Sequence, residues 1–340
     1  MRNIIFPNKS LISWIIWIQK AIGFAALITL AALGELLTEK SGGLNLGTPG
    51  TMCVGAATGF IAAFRYCQAV EEPSVIIILI LTLLVSFLSA MLIGLIYSFF
   101  TVTLRINQNV VGLVLTIFGC GLAEFLSIYF VQSSSGNVRC DPANRVFTAL
   151  IPWVSEKLGV VSDLLFSYGF MLYVTIAIAV GMHLVFNKTR IGLNLRAVGE
   201  SPATADAAGI NVSRYKYAAS CIGSGITGLA GVYCVMEFKS GAWATADIST
   251  IQAFGWMAVA LVIFAVWKPL NLLWGSLVFG ICYWAYQYLP GMLGIKVSTD
   301  LAQMLPYIIT IIVLIIVSLG KKKENLGPAS LGMTYFREER

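Results

Sequence analysis

The stretch TRIGLNLRAVGESPATADAAGI, Thr189 to Ile210, is charged, punctuated by glycine and proline, and set between two long apolar runs. It is too long for a tight turn. It is also too polar to span lipid, where unpaired backbone and charged groups are costly, so it lies at one membrane face. It reads as a docking surface.

The chain on either side of it is membrane in character. Hydrophobic residues make up 58% and charged residues 11%, against roughly 25% charged in soluble domains, and the mean hydropathy is +0.84. Apolar runs long enough to cross a core of about 30 Å recur along it. Nine are read: Ile22–Leu37, Thr51–Val70, Val75–Phe100, Val110–Val131, Leu165–Phe186, Tyr217–Met236, Ile251–Trp267, Leu272–Leu289 and Leu301–Leu319. The expected fold is all-α, a polytopic transmembrane bundle, with residues 1–320 as the membrane domain and 187–216 as its polar segment. Residues 321–340 are expected to form a cytoplasmic basic tail. No cleavable signal peptide is expected, because the first apolar segment runs on without a small-residue cleavage site.

Basic residues in the loops set the orientation. Lys188, Arg190, Arg196, Arg214 and Lys216 flank or lie in the polar segment, and Lys321, Lys322 and Lys323 follow the last run. Four crossings separate the two groups, so both belong on the cytoplasmic side. Counting backwards places Arg105 inside, Gln132–Asp163 outside and the N-terminus outside. The net charge of +6 is then a topological signal, and no basic-aromatic stripe points to nucleic acid.

Motifs for covalent chemistry are missing. The single histidine, His183, sits in an apolar run, and Gly320-Lys321 lacks the upstream glycine and the hydroxyl residue of a phosphate loop. The seven cysteines are scattered, only Cys140 lying in a long loop, so no disulfide framework or metal spacing emerges. Catalytic and metal residues are therefore expected to be none.

Intramembrane polarity and small-residue packing remain. Ala219, Gly223, Thr227 and Gly231 repeat at every fourth position, a stripe that lets backbones approach closely. Glu35 and Glu124 lie within or near apolar runs, where a carboxylate is costly and is usually buried, paired or facing water. Between Ser41 and Gly50, four glycines, Pro49 and Asn45 break the helical pattern. Freed backbone groups at membrane depth are tolerated only where protein or a water cavity surrounds them. The break is therefore expected to form a discontinuous helix beside a solute route. Candidates for that route are Glu35, Asn45, Gly47 and Glu124, with Trp256 and Tyr283 from the aromatic-rich late helices.

At this point a family resemblance is plain. The stretch Arg190–Ala219, RIGLNLRAVGESPATADAAGINVSRYKYAA, resembles permease subunits of binding-protein-dependent ABC importers. Its branch includes ribose-type sugar, branched-chain amino-acid and nucleoside permeases. Leu30–Met52, LAALGELLTEKSGGLNLGTPGTM, and Ala260–Gly280, ALVIFAVWKPLNLLWGSLVFG, resemble two further blocks of that branch in their nucleoside-type form. The chain departs from the pattern at Glu35, Thr48-Pro49 and Ala265.

The resemblance implies cytoplasmic coupling helices that seat on an ATPase subunit, with Arg196, Gly199, Glu200, Pro202, Asp206 and Gly209 at or near the contact. Ser201 is placed to cap a helix starting at Pro202, and Gly209 to end it. It also implies a second permease chain, identical or related, an extracellular binding protein or lipoprotein, and a place in the bacterial cell (inner) membrane. No cofactor is expected on this chain, ATP being bound by the partner. The expected solute is small, polar and neutral, a nucleoside or purine first. A sugar, or a vitamin such as riboflavin, is the alternative on the same architecture, and a self-contained channel or secondary transporter the alternative of another class.

Overall fold

The structure, a computed structural model, describes residues 9–131, 138–149, 167–293 and 327–336, with isolated positions at 304, 308, 311, 312 and 315. Most of the apolar run Leu301–Leu319, and Lys321–Lys323, lie outside the described residues. The described chain is helical nearly throughout. In order it forms α1 (Lys9–Lys40), α2 (Thr48–Ala69), α3 (Val75–Ser98, extended by a π turn over Phe99–Thr103), α4 (Gln108–Val131), β1 (Val138–Arg139) and α5 (Asp141–Phe147). There follow α6 (Phe170–Lys188), α7 (Arg190–Glu200), α8 (Pro202–Ala207), α9 (Val212–Tyr233, then a π segment over Cys234–Phe238), β2 (Ala242–Trp243), α10 (Asp247–Phe264) and α11 (Pro269–Leu293). Six of these helices, α1, α3, α4, α6, α9 and α10, are long and apolar enough to cross a membrane. Glycine and threonine lower the hydropathy of α2, and α11 is apolar over Pro269–Ala285.

The lipid and protein faces are sorted by residue size rather than by polarity. On α3, Ile76, Ile80, Leu84, Leu88, Leu92 and Leu95 are exposed, while Ile78, Thr82, Ser86, Ala90 and Gly94 are buried. The wide aliphatics face the apolar solvent and the small or hydroxyl residues face the neighbouring helices, where close approach supplies the packing energy. Ser86 donates to the carbonyl of Gly228 at 2.8 Å, fixing α3 to α9.

Helix α9 is the centre of the bundle, with α1, α2 and α3 packed around it. All four residues of its small stripe are buried. Gly223 and Thr227 meet Gly34 of α1, and Gly231 meets the carbonyl of Met52 in α2. Gly55 of α2 lies on the Cα of Gly228 so closely that it has no room for a side chain, and a Cβ on Gly228 would strike Ala90 and Ser86 of α3.

The two ends of the bundle differ. One carries the two-residue ladder of β1 with β2, Val138 opposite Trp243 and Arg139 opposite Ala242, together with α5. The other gathers Arg105, α7, α8, the α1–α2 connection and residues 327–336. By the positive-inside argument this second, basic end is the cytoplasmic one.

The first apolar run is longer than Ile22–Leu37. Helix α1 is continuous through Glu35, Glu39 and Lys40, and the interruption is confined to residues 41–47.

Candidate functional site

The interruption is built by a helix stop followed by side-chain capture of each freed backbone group. Gly42 adopts φ +84, a left-handed conformation that a side chain disfavours, and its N–H bonds back to the Glu39 carbonyl at 2.9 Å. Beyond it the chain is extended and buried. The Leu44 N–H donates to Gln108 Oε1 at 2.7 Å, and the Leu44 carbonyl accepts from the Tyr97 hydroxyl at 2.8 Å. The Leu46 carbonyl accepts from the Thr116 hydroxyl at 2.6 Å. Thr116 lies about 12 Å along α4 from Gln108 by the helical rise, so the connection dips into the bundle. Its polar groups are paired with protein, as backbone inside a membrane requires.

Glu35 organises the far side of the same connection. It is 1% exposed; its Oε1 accepts from the Asn45 N–H at 3.2 Å and its Oε2 from the Thr48 hydroxyl. Asn45 in turn accepts from the Gly47 N–H at 2.9 Å, turning the chain into α2. Glu35, Asn45 and Gly47 are thus one cluster, and they hold the break shut. One helical turn on, buried Glu39 accepts from the indole N–H of Trp267 with one carboxylate oxygen, while the other is enclosed and unpaired among the described residues. Trp267 and Val266 are held there at φ +51 and +55, strained values for residues of this size.

The remaining route candidates are elsewhere. Glu124 is on the exposed face of α4 beside Phe125 and Ile128, and Trp256 faces outward from α10. Tyr283 is part of an aromatic cluster, stacked on Phe24 with centroids 4.2 Å apart and planes 11° apart, and edge-on to Phe254 at 5.8 Å.

That cluster borders a cavity of about 330 Å³ towards the end that carries the β1–β2 ladder, whose walls include Phe24, Tyr168, Tyr233, Glu237, Phe238 and Trp284. The π segment that widens α9 presents Glu237 there. Its Oε1 accepts from the Gly169 N–H at 3.3 Å, and its Oε2 is enclosed and unpaired among the described residues. The Trp284 indole N–H and the Tyr168 hydroxyl are unpaired in the same way. Burial pushes the Tyr168 phenol above its usual range, so it remains a neutral hydroxyl. Gln19, Lys20, Ser167 and Ser240 complete the polar part of the wall, and flat apolar faces beside such groups can hold a flat, hydrogen-bonding solute.

The polar segment forms two short helices. Thr189 caps α7 by accepting from the Gly192 N–H, Ser201 caps α8 by accepting from the Thr204 N–H with Pro202 in the first turn, and Gly209 follows at φ +83. Among the singled-out residues Gly199 is buried, Arg196, Pro202 and Asp206 are half-buried, and Glu200 and Gly209 are exposed. A Cβ on Gly199 would strike the Lys40 carbonyl, and the Gly199 carbonyl accepts from both the N–H and the hydroxyl of Ser330. Glu200 accepts from the Ala329 N–H at 3.4 Å, Asp206 accepts from the Tyr335 hydroxyl at 3.0 Å, and Arg196 is half-buried with its Nε enclosed. What faces outward on α8 is small and neutral, Ala203, Thr204 and Ala207, followed by its C-cap Ala208.

Sequence reading passed over Gln108, Glu237 and Ser330. Glu237 carried a legible signal, since it directly follows the run Tyr217–Met236 and obeys the rule that singled out Glu35. Gln108 and Ser330 carried none, because their roles exist only through partners distant in sequence.

The chain matches the branched-chain amino-acid transport system permease component family over residues 18–314. It belongs to that permease family. A putative glucose ABC transporter permease of Haloferax volcanii is 30% identical over 92% of this chain and 95% of its own. A nucleoside ABC transporter permease of Lactococcus lactis is 30% identical, covering 93% and 95%. A guanosine ABC transporter permease of Bacillus subtilis is 28% identical with the same coverage. No solved structure matches. The protein is thus an ABC-transporter permease of the sugar and nucleoside branch, an all-α, multi-pass protein of the cell membrane. Family members are transport components.

Proposed function

We propose that this permease forms the membrane path for a nucleoside in an ATP-driven importer. The observation that carries the reading is the cavity between Phe24, Tyr233, Phe238 and Trp284, with the free oxygen of Glu237 at its wall. A nucleobase offers two π faces to such rings and N–H donors to such a carboxylate. The two nucleoside-type relatives support the same choice. The glucose permease relative favours a second reading, a simple sugar whose apolar ring faces pack on the same aromatics.

In this reading the chain binds no cofactor and hydrolyses no ATP; an ATPase subunit does so, seated on the small neutral face of α8. A second permease chain completes the pore, and an extracellular binding protein delivers the solute. Route residues shift accordingly: Glu35, Asn45 and Gly47 hold the inner closure, and Tyr283 supports the outer cavity through Phe24.

Uptake of labelled guanosine tests this. Unlabelled nucleosides compete and glucose or riboflavin does not, and Glu237→Gln lowers uptake by about tenfold or more, the loss of one charge-assisted hydrogen bond, at unchanged membrane level. Competition by glucose alone overturns the nucleoside assignment.

A further inference from the structure

A second cavity, of about 370 Å³, opens at the basic end, and its chemistry differs from that of the outer one. Its wall carries Lys216, Arg105, Ser213, Asn211, Asp206 and Tyr335. Three features converge there. Lys216 is 5% exposed yet makes no hydrogen bond or ion pair among the described residues. An ammonium on a buried side chain whose head meets solvent only through such a cavity is poorly hydrated, and in membrane-embedded helices such groups mark ligand sites. The first turn of the 22-residue α9 opens on the same cavity through Val212 and Ser213, and the N-terminus of a helix presents backbone N–H groups and a positive dipole end. Arg105 adds a guanidinium from the α3–α4 connection, held at φ +57 with its charge 4.9 Å from the Phe336 ring centre. Against these two cations the wall carries one carboxylate, Asp206, which accepts from Tyr335, so the net charge of the wall is positive.

We propose that this cavity is an anion site for a phosphate group, held between Lys216, Arg105 and the first turn of α9. The ligand is a phosphate monoester or diester, free in the cytoplasm or carried on a lipid headgroup. The volume leaves room for a sugar-sized substituent beside the phosphate. Tyr335 and Phe336 belong to the segment 327–336 that packs on α7 and α8, so a bound phosphate would tie the α3–α4 connection, the start of α9 and that segment together. The proposal is independent of which solute is carried.

The test uses the full chain purified in maltoside detergent and delipidated, with thermal midpoint and 31P NMR line width as readouts. Inorganic phosphate, AMP and short-chain phosphatidylglycerol are titrated separately. At least one is expected to raise the midpoint saturably and broaden its phosphorus signal. Response to AMP or phosphate identifies a soluble ligand, and response to phosphatidylglycerol alone identifies a headgroup. Lys216→Met should weaken the response at least about tenfold, the scale of one lost charge-assisted contact. Because Lys216 has no partner to lose, the methionine variant is expected to fold with an unchanged or raised midpoint. Arg105→Gln, at an exposed position, is the second variant and should weaken the response in the same sense. Absence of saturable binding with all three probes, or binding unchanged in both variants, overturns the proposal.

Discussion

Ser330 gives both its backbone N–H, at 3.0 Å, and its hydroxyl, at 2.5 Å, to the single carbonyl of Gly199. The segment near the C-terminus is thereby fastened to the end of α7. Met333 continues the tie by accepting from Gln108 Nε2 at 3.0 Å, and the Gly332 N–H bonds to the Gly42 carbonyl at 3.3 Å. Helix α7, the start of α4 and the α1–α2 connection therefore share one clasp. Ser330→Ala should cost about 1 kcal/mol, the net worth of one buried hydrogen bond. Truncation before Gly327 should do more, raising tryptic cleavage at Arg190 and Arg196. An unchanged cleavage rate would mean that the clasp does not hold α7.

Gly199 and Gly209 bracket α8 but differ in why they are glycine. A Cβ on Gly199 strikes the Lys40 carbonyl and comes within 3.3 Å of Pro328, whereas Gly209 has open space and a φ of +83. Gly199→Ala should therefore lose about 1–3 kcal/mol through overpacking, and Gly209→Ala about 1–2 kcal/mol through backbone strain alone. Thermal midpoints in detergent rank the two, and only Gly199→Ala should also weaken docking of residues 327–336.

Glu35 accepts from two donors, of which the Thr48 hydroxyl also has the Asn45 carbonyl within reach at 3.1 Å. Glu35→Ala leaves the Asn45 N–H enclosed and unpaired, at about 1–3 kcal/mol. Thr48→Val removes one donor and should cost less. Glu35→Gln keeps an acceptor oxygen and should fall between them. A double-mutant cycle of Glu35→Ala with Thr48→Val should return a coupling above about 0.5 kcal/mol, as for residues in direct contact; additivity would show that the two side chains do not interact.

The crossing of α2 and α9 leaves no room for a side chain at Gly55, which lies on the backbone of Gly228. Gly55→Val should abolish the monodisperse species in size-exclusion chromatography. Gly121→Ala, on α4 with nothing within 4 Å of the added Cβ, should leave it unchanged. Equal profiles for the two would refute this packing.

The order of apolar runs and the three family-like blocks were enough to read a helical membrane permease. Those properties come from transfer of whole segments between water and lipid, which composition over about 20 residues sets by itself. The caps at Ser201 and Gly209 were legible for a related reason: their partners lie within four residues. The stripe Ala219, Gly223, Thr227 and Gly231 announced a close crossing but not its partners, which the fold supplies as α1 and α2.

Tertiary structure decided the rest. Glu35 and Glu124 look alike in sequence, yet one is enclosed beside Asn45 and Thr48 and the other faces outward from α4. Arg196, Glu200 and Asp206 look alike as surface charges, yet Arg196 and Asp206 are half-buried, Asp206 against Tyr335, while Glu200 stays exposed beside Ala329. The outer cavity and the basic one each draw walls from elements more than a hundred residues apart. A side chain's partner across that distance depends on how helices are rotated and crossed. That geometry is fixed by where small residues let backbones touch, and a single helix's own periodicity does not contain it.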